Sequence, residues 1–426
     1  MNDIPDNCKK WMTTQCRTCL DILKSVSESV ATGVPADRAL SAIFRKNRNF
    51  GSRDRQFYYP AVFAWFRWLG WLKYAGLSMN EYGILAAFAA EGSELPRAAE
   101  LWVSLLPEEQ RKKWNEALTM PNPEDRFRTF TGISVSDERL IPEWALPLLA
   151  DGGKEYYLPF LKRRSPLWIR IVPGKESQVL SEFQNKGIEY QQHPFVFNAY
   201  RFDNRHIRFY TALSWKQGLF EMQDFSSQCI GIAAGVQSGE NWFDACAGGG
   251  GKTLLLASMV GPRGHVSVYD IRDSKLDELE ERCARTPYKK IINREHSFSP
   301  GRLFDGVLID APCSSSGRWR RDPDAPWRIE GKNQIDEIAA LQYDLLCQAA
   351  DSVRPGGKLV YGTCSVFEKE NAGQIRRFLE EHPGSFEPVP FQSPHDGSLR
   401  TDGMLQSFPA DSDCDGSFVA VLRKKQ

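Results

Sequence analysis

The sequence has no apolar run approaching the roughly 20 residues that a membrane-crossing helix needs, so no spanning segment is expected. Its opening, MNDIPDNCKKWMTT, lacks the basic and apolar regions of a secretory leader, and a cytoplasmic location is the expectation. Net charge is also missing, because 54 Lys and Arg balance 54 Asp and Glu. A neutral chain sends no global signal for nucleic acid, so any such affinity must come from local patches. The six histidines stand apart and form no HExxH-type pair. Among ten cysteines, Cys16 and Cys19 make a CxxC, but no second pair or histidine cluster accompanies them at zinc-finger spacing. Two helix-borne thiols are the plainer reading, and no metal is expected. With no export signal, scattered cysteines read as reduced thiols. Internal repeats and low-complexity segments are absent.

What is present is a globular composition, 42% hydrophobic and 25% charged, on 426 residues. That length favours two or three domains over one core. Residues 1–145 read as helices, with apolar residues at three- and four-residue spacing in CLDILKSVSESVATG, DRQFYYPAVFAWFRWLGWLKYAG and YGILAAFAA. Between two of these lies the basic stretch FRKNRNFGSRDRQF, either a phosphate contact or a solvated turn. Residues 146–235 read as a small α+β module: LWIRIV, YRFDN and IRFY as strands, ESQVLSEFQNKG as a helix, and KRRSP as a second basic patch. From 236 to 426 strands and helices alternate. WFDAC, HVSVYD, FDGVLID, KLVYGTC and FVAVL are the strand candidates, and their alternation with helical stretches predicts a doubly wound α/β sheet.

The first of these strands runs into Asp244-Ala-Cys-Ala-Gly-Gly-Gly-Gly-Lys-Thr253 and then a helix. Glycines there let the backbone approach a ligand, and the helix start offers unpaired N–H groups. Gly251-Lys252-Thr253 mimics the end of a P-loop, but Cys246 stands where that motif needs its first glycine, which argues against an ATPase. An adenosyl cofactor is the alternative. Its ribose calls for an acid at the end of the next strand, and Asp270 closes HVSVYD. Asp270 also reads as a helix cap, a job that Asp273 is better placed to do.

Asp310-Ala-Pro-Cys313 and Thr363-Cys364-Ser365 end two further strands. Ligands of a doubly wound sheet bind beyond its carboxyl edge, so both cysteines are expected at one crevice with the glycine loop. Buried structural thiols are the alternative. After Cys313 comes a loop with Arg318, Arg320, Arg321 and Arg328 beside Trp319 and Trp327. Guanidinium groups pair with phosphate and aromatic rings stack on unpaired bases, so this loop reads as an RNA contact, or as a plain surface loop.

DACAGGGGKT, DAPCSSSGRWRRDPDAPWR and YGTCSVFEKEN, in that order, resemble the RNA (cytosine-5) methyltransferases of the RsmB/NOP2/Sun family. GLFEMQDFSSQ at 218–228 is similar to the segment before that family's cofactor loop, DGSFVAVLRK to its closing strand and IPEWALPLL to the start of its central module. The start of the chain, with GSRDRQF, resembles the NusB-type domain of the bacterial 16S rRNA enzyme. The resemblance implies a NusB-like helical domain, a small RNA-binding module and a Rossmann-like class I methyltransferase domain. It implies S-adenosylmethionine as cofactor, held by Cys246, Ala247, Gly248, Gly249, Gly250, Gly251, Lys252, Asp270 and Asp310. It assigns Cys364 as the covalent nucleophile on cytosine carbon 6 and Cys313 as the residue assisting release, with Asp310 and Lys252 at the target base. RNA is the implied partner, ribosomal in the first place; a tRNA substrate and a catalytically silent RNA-binding scaffold stay open, and a monomer is expected. The sequence departs from the family where Gly248-Gly249 replaces Ala-Pro and Ser315 replaces glycine. After the third strand no Asp is found in IINREHSFS, where Glu295 or His296 is the stand-in.

Overall fold

In the computed structural model, residues 6–204, 207–298 and 301–426 are described. The first five residues of the stretch read for a leader, and Ser299 at the end of IINREHSFS, lie outside the described residues. The chain forms two compact units. One comprises Met1–Pro147, Leu158–Arg164 and Trp319–Lys332; the other comprises Leu148–Tyr157, Ser165–Arg318 and Asn333–Gln426.

The first unit is helical, with helices Asp6–Ala31, Ala36–Lys46, Ser52–Tyr74, Glu81–Glu91, Glu100–Leu105, Glu108–Ala117 and Pro123–Thr131. Two of these starts are explained by capping. Asn80 Oδ1 accepts from Gly83 N at 3.0 Å, and Asn122 Oδ1 from Asp125 N at 2.9 Å. The core is aromatic: Trp68, Trp71, Trp114, Phe127 and Phe130 are buried, with Trp68 and Trp71 rings 4.7 Å apart. Each such side chain contributes about 2–3 kcal/mol by leaving water. Cys16 and Cys19 lie buried on the first helix, where burial pushes Cys16 up to about 12 and its thiol donates to Ala98 O at 3.2 Å. No helix among the described residues is long and apolar enough to cross a membrane.

The second unit carries two sheets. The smaller is antiparallel, formed by β1 (Leu167–Ile171), β2 (Gln191–Gln192), β3 (Ala199–Phe202) and β4 (Phe220–Met222) in the order β2-β3-β1-β4. IRFY, expected as a strand, is instead a 3-10 turn at Phe209–Thr211. Its aromatic residue finds its partners by packing rather than by a ladder: Phe209 sits 5.0 Å from Phe202 and 5.6 Å from Phe220, ring to ring.

The larger sheet contains β5 (Asn241–Asp244), β6 (His265–Val268), β7 (Ile292–Arg294), β8 (Phe304–Asp310), β9 (Val353–Thr363) and β10 (Phe386–Pro388). A ribbon, β11 (Phe391–Gln392) with β12 (Leu399–Arg400), precedes β13 (Met404–Ser407) and β14 (Ser417–Lys424). The order is β10-β14-β9-β8-β5-β6-β7, with β13 also on β14. Strands β5 to β9 pair in parallel and β14 joins antiparallel to β9. Side chains alternate between two cores, as a period of two requires. Trp242, Leu308 and Val360 face the helices Phe225–Ala233, Gly251–Val260 and Asp273–Cys283, while Phe243, Val307 and Tyr361 face Lys332–Asp351 and Ala372–Glu381. Burial on both faces explains why these strands read as continuous apolar runs. This is a Rossmann-like, mostly parallel sheet. The strand order reverses at β5, which pairs with β6 on one side and β8 on the other, and that reversal opens a crevice at the carboxyl edge. Of the stretch 146–235, residues 148–157 and 165–235 lie in this unit, and Trp168 on β1 shares its core: it packs 5.0 Å from Phe225 and donates its indole N–H to Asp413 O at 3.2 Å.

Candidate functional site

The glycine loop is stitched to the next strand by Tyr269 N donating to Asp244 O at 3.0 Å and Ala247 N donating to Tyr269 O at 2.9 Å. Gly250, at φ +82°, caps the helix Gly251–Val260, and a Cβ there would lie 2.0 Å from Leu279 Cδ1, so only glycine fits. Gly248, at φ +52°, has nothing within 4 Å of a Cβ position, so this side of the loop is open. Its N–H donates to Asp270 Oδ2 at 2.9 Å. Burial pushes the Asp270 carboxyl up, but hydrogen bonds from Arg272 and from Gly248 outweigh it and hold the group below the usual range. Arg272 supplies N and Nε to Oδ1 at 3.0 and 2.9 Å and Nη2 to Oδ2 at 3.2 Å, while its own side chain is 62% exposed. On the other side of the loop, Arg282 donates to Gly249 O and, at 2.8 Å, to buried Glu221 of β4. Beneath it, Thr253 Oγ1 donates to Asp244 Oδ2 at 2.7 Å, and burial pushes Asp244 up to about 7.

Adjacent strands β8 and β9 end level, with Asp310 opposite Gly362, so the turns that follow meet. Cys313 Sγ and Cys364 Sγ are 3.1 Å apart and both half-buried. The Cys313 thiol as donor lowers the Cys364 thiol from its ordinary value, against burial and the nearby Asp310 carboxylate; Ser315 and Arg318 add to the lowering. Cys313 moves the opposite way, well up, because of that same contact and its burial. The pair is therefore asymmetric: one sulfur is favoured as thiolate and the other as thiol. Lys252 Nζ lies 2.7 Å from Asp310 Oδ2. Burial alone would lower Lys252, but Asp310 raises it, so the ammonium stays charged beside the sulfurs.

A buried carboxylate ties the two cysteine turns together. Glu370, 0% exposed, accepts from Ser314 N at 2.8 Å, from Ser314 Oγ and Ser365 Oγ at 2.5 Å each, and from Gln342 Nε2 at 3.0 Å. Burial raises its carboxyl, opposed by these serine and Gln342 bonds. Asn371 adds a bond from Nδ2 to Ser365 O at 2.9 Å and accepts from Thr363 Oγ1 at 2.6 Å. Glu370, Asn371, Arg272, Arg282 and Ser315 took no site role in the sequence reading. Glu370 and Asn371 lie in the quoted YGTCSVFEKEN, and Ser315 was singled out only as a departure.

The arginine loop divides. Arg318 is exposed and Arg321 half-buried. Arg320 is a correction: it is 1% exposed, donating Nε to Arg163 O at 3.0 Å and Nη2 to Arg164 O at 2.8 Å, so no phosphate reaches it. Arg328 pairs with Asp324 at 3.1 Å. The tryptophans are also corrected as base-stacking candidates. Trp319 is buried, and Trp327 donates its indole N–H to Phe66 O at 3.3 Å with Lys73 Nζ 4.4 Å over its ring. Residues 319–332 belong to the helical unit and help build it. After β7, Glu295 is paired with Arg302, and His296 is exposed.

A family model described as "16S rRNA methyltransferase RsmB/F" matches residues 232–423. The chain is 30% identical over 301 residues to the Ribosomal RNA small subunit methyltransferase B of Yersinia pseudotuberculosis serotype O:1b (strain IP 31758), covering 67% of either chain. Its fold is similar to that of the crystal structure of PH0851, with a TM-score of 0.70 at 23% identity over 95% of this chain and 99% of that one. It is also similar to NSun6 from Pyrococcus horikoshii with SFG, with a TM-score of 0.55 at 17% identity over 67% of this chain and 97% of that one.

Proposed function

The chain belongs to the RsmB/F family of 16S rRNA methyltransferases, and from that premise we propose that it methylates carbon 5 of a cytosine in small-subunit ribosomal RNA, with S-adenosylmethionine as donor. It is an RNA methyltransferase; the base atom, the cofactor and the residue roles are the proposal. The observation that carries it is the sulfur pair, Cys313 and Cys364, 3.1 Å apart at the carboxyl edge of the sheet.

Carbon 5 of cytosine is a poor nucleophile. Addition of the Cys364 thiolate to carbon 6 turns the ring into an enamine that is reactive at carbon 5. Once carbon 5 carries the methyl group, loss of its proton to water re-forms the carbon 5–carbon 6 double bond and expels the Cys364 thiolate. The Cys313 thiol favours that thiolate before addition and again when the carbon–sulfur bond breaks, which fits an assisting role in release. Asp310 accepts from the cytosine edge, and Lys252, 2.7 Å from its Oδ2, holds that carboxylate aimed. The target base must be unpaired or flipped out, because a stacked base cannot reach a sulfur in this crevice.

The residues at the glycine loop fit an adenosyl donor. Gly248 leaves an open cradle, Cys246 to Gly251 present main chain, and Asp270 is a carboxylate at the neighbouring strand end. Ile271, 86% exposed beside it, offers an apolar flank. All four hydrogen bonds on Asp270 come from Gly248 and Arg272, so a ribose diol has to displace the exposed Arg272 side chain. When bound, the cofactor supplies an electrophilic methyl group. The test is bisulfite sequencing of ribosomal and transfer RNA from a deletion strain, before and after incubation with the protein and the cofactor. One 16S cytosine gaining protection is the expected result; protection confined to tRNA, or none, contradicts the proposal.

A further inference from the structure

Ser315 sits two residues after Cys313, and it differs from its neighbours in two independent ways. Its φ is +54°, a left-handed conformation that strains any residue with a Cβ; among the described non-glycine residues only Asp413 shares that sign. Its hydroxyl oxygen is also 3.5 Å from Cys364 Sγ. The turn that imposes this conformation is clamped on both sides. Ser315 O accepts from Arg318 N at 2.9 Å, and Gly317 N donates to Cys364 O at 3.0 Å. Ser316 Oγ lies 2.8 Å from Ser365 Oγ and accepts from Val366 N at 2.9 Å. Glycine would sit in this turn without strain, so the serine brings a conformational penalty together with a hydroxyl at the sulfur.

We propose that Ser315 is a hydrogen-bond donor to the Cys364 thiolate, holding the sulfur charged and aimed before the base arrives. The proposal rests on the reading of Cys364 as nucleophile. In the thiol form Cys364 donates toward Ser315 Oγ. Once the proton has gone to solvent, the hydroxyl rotates and donates to the sulfur, a charge-assisted bond stronger than the one it replaces. The other groups facing this sulfur are Cys313, whose thiol also donates, Arg318 and Lys252, whose charges favour the thiolate, and Asp310, whose charge opposes it. Ser315, like the Cys313 thiol, is a neutral donor, so its contribution is insensitive to salt, unlike those of Arg318 and Lys252. Hydrogen bonding to the charged form also lowers the Cys364 thiol in the same direction.

The experiment compares the full-length protein with its Ser315→Gly and Ser315→Ala variants. Iodoacetamide labelling of Cys364 is followed by peptide mass spectrometry across about pH 6–10, where a thiolate titrates. Both variants are expected to move the labelling midpoint up by about one pH unit, so labelling near neutrality slows roughly tenfold. The melting temperature of Ser315→Gly should move the other way, up by about 2–4 °C, because glycine relieves the left-handed strain. A structural role would move stability and reactivity together; the proposal requires them to part. Variants whose midpoint stays at the wild-type value overturn it, leaving the serine a strained spacer. If wild-type Cys364 does not label at all, the nucleophile reading itself falls, and this proposal with it.

Discussion

Replacing Glu370 by alanine removes one carboxylate and loosens both cysteine turns at once. Ser314 N–H loses its acceptor, Gln342 keeps only its bond to Pro312 O at 2.9 Å, and two serine hydroxyls must re-pair with each other or with Ser316. An orphaned buried N–H costs about 1–3 kcal/mol, and removing one partner from a buried charged network about 3–5 kcal/mol in all. At about 2–4 °C per kcal/mol, a melting temperature roughly 10 °C lower is expected. Glu370→Gln keeps the shape and one acceptor oxygen for Ser314 N and Gln342, so about 1–2 kcal/mol is lost instead. The two glutamate states also give a pH signature. Burial raises the folded carboxyl above its ordinary 4.5, so the folded protein keeps a proton that the unfolded chain releases, and wild-type stability falls as pH rises from there through the folded value. Glutamine has no such titration, so the wild type's advantage over Glu370→Gln should be largest in acid and shrink toward neutrality. Thermal unfolding of the purified protein at about pH 5 and pH 8 measures it. An alanine variant that melts within about 2 °C of wild type, or a gap that widens with pH, refutes this reading of Glu370.

Arg282→Gln takes the guanidinium away from Gly249 O and leaves buried Glu221 with Arg285, 3.6 Å away, as its remaining ion pair. With two adjacent glycines in place of a stiffer pair, the loop is then held mainly by Asp270, and the KM for S-adenosylmethionine should rise about tenfold with kcat nearly unchanged, as expected for lost pre-organisation; a fall in kcat at unchanged KM would contradict it. Arg320→Ala should lower the melting temperature without changing the salt dependence of RNA binding. Arg318→Ala should weaken binding and reduce the slope of log K against log salt by about one in filter-binding titrations. The reverse pattern would restore Arg320 as a phosphate contact.

Of the parallel strands, β5, β6, β8 and β9 were legible because each lies in a short β-branched or aromatic run that closes on Asp, Cys or Thr, and double burial leaves that run unbroken in β5, β8 and β9, whereas β7 is three residues long and ends in Arg294. The two cysteines and the glycine loop were legible for a related reason: residues at strand ends converge on one edge whatever lies between them. What failed were residues whose partners are remote in the chain. Arg320 in a run of arginines looks the same whether it meets phosphate or, as here, carbonyls 157 and 156 residues earlier. IRFY has strand composition, but Phe209 meets its neighbours from a turn. Glu370 reads as one more surface charge in FEKEN until Ser314 and Gln342, 56 and 28 residues away, are seen to close around it. Arg282 is similarly lost in a charged helix. For Ser315 the departure from glycine was visible, but its meaning required the backbone angle.

The most direct test of the chemistry is a covalent trap. Purified Cys313→Ala, incubated with substrate RNA and S-adenosylmethionine, should accumulate a denaturation-resistant protein–RNA adduct, because Cys364 adds to the base while release is slowed. Cys364→Ala should give none, and peptide mapping of the trapped complex should place the link at Cys364. An adduct that survives in Cys364→Ala, or equal behaviour of the two variants, would contradict the assignment of the nucleophile and the proposed mechanism with it.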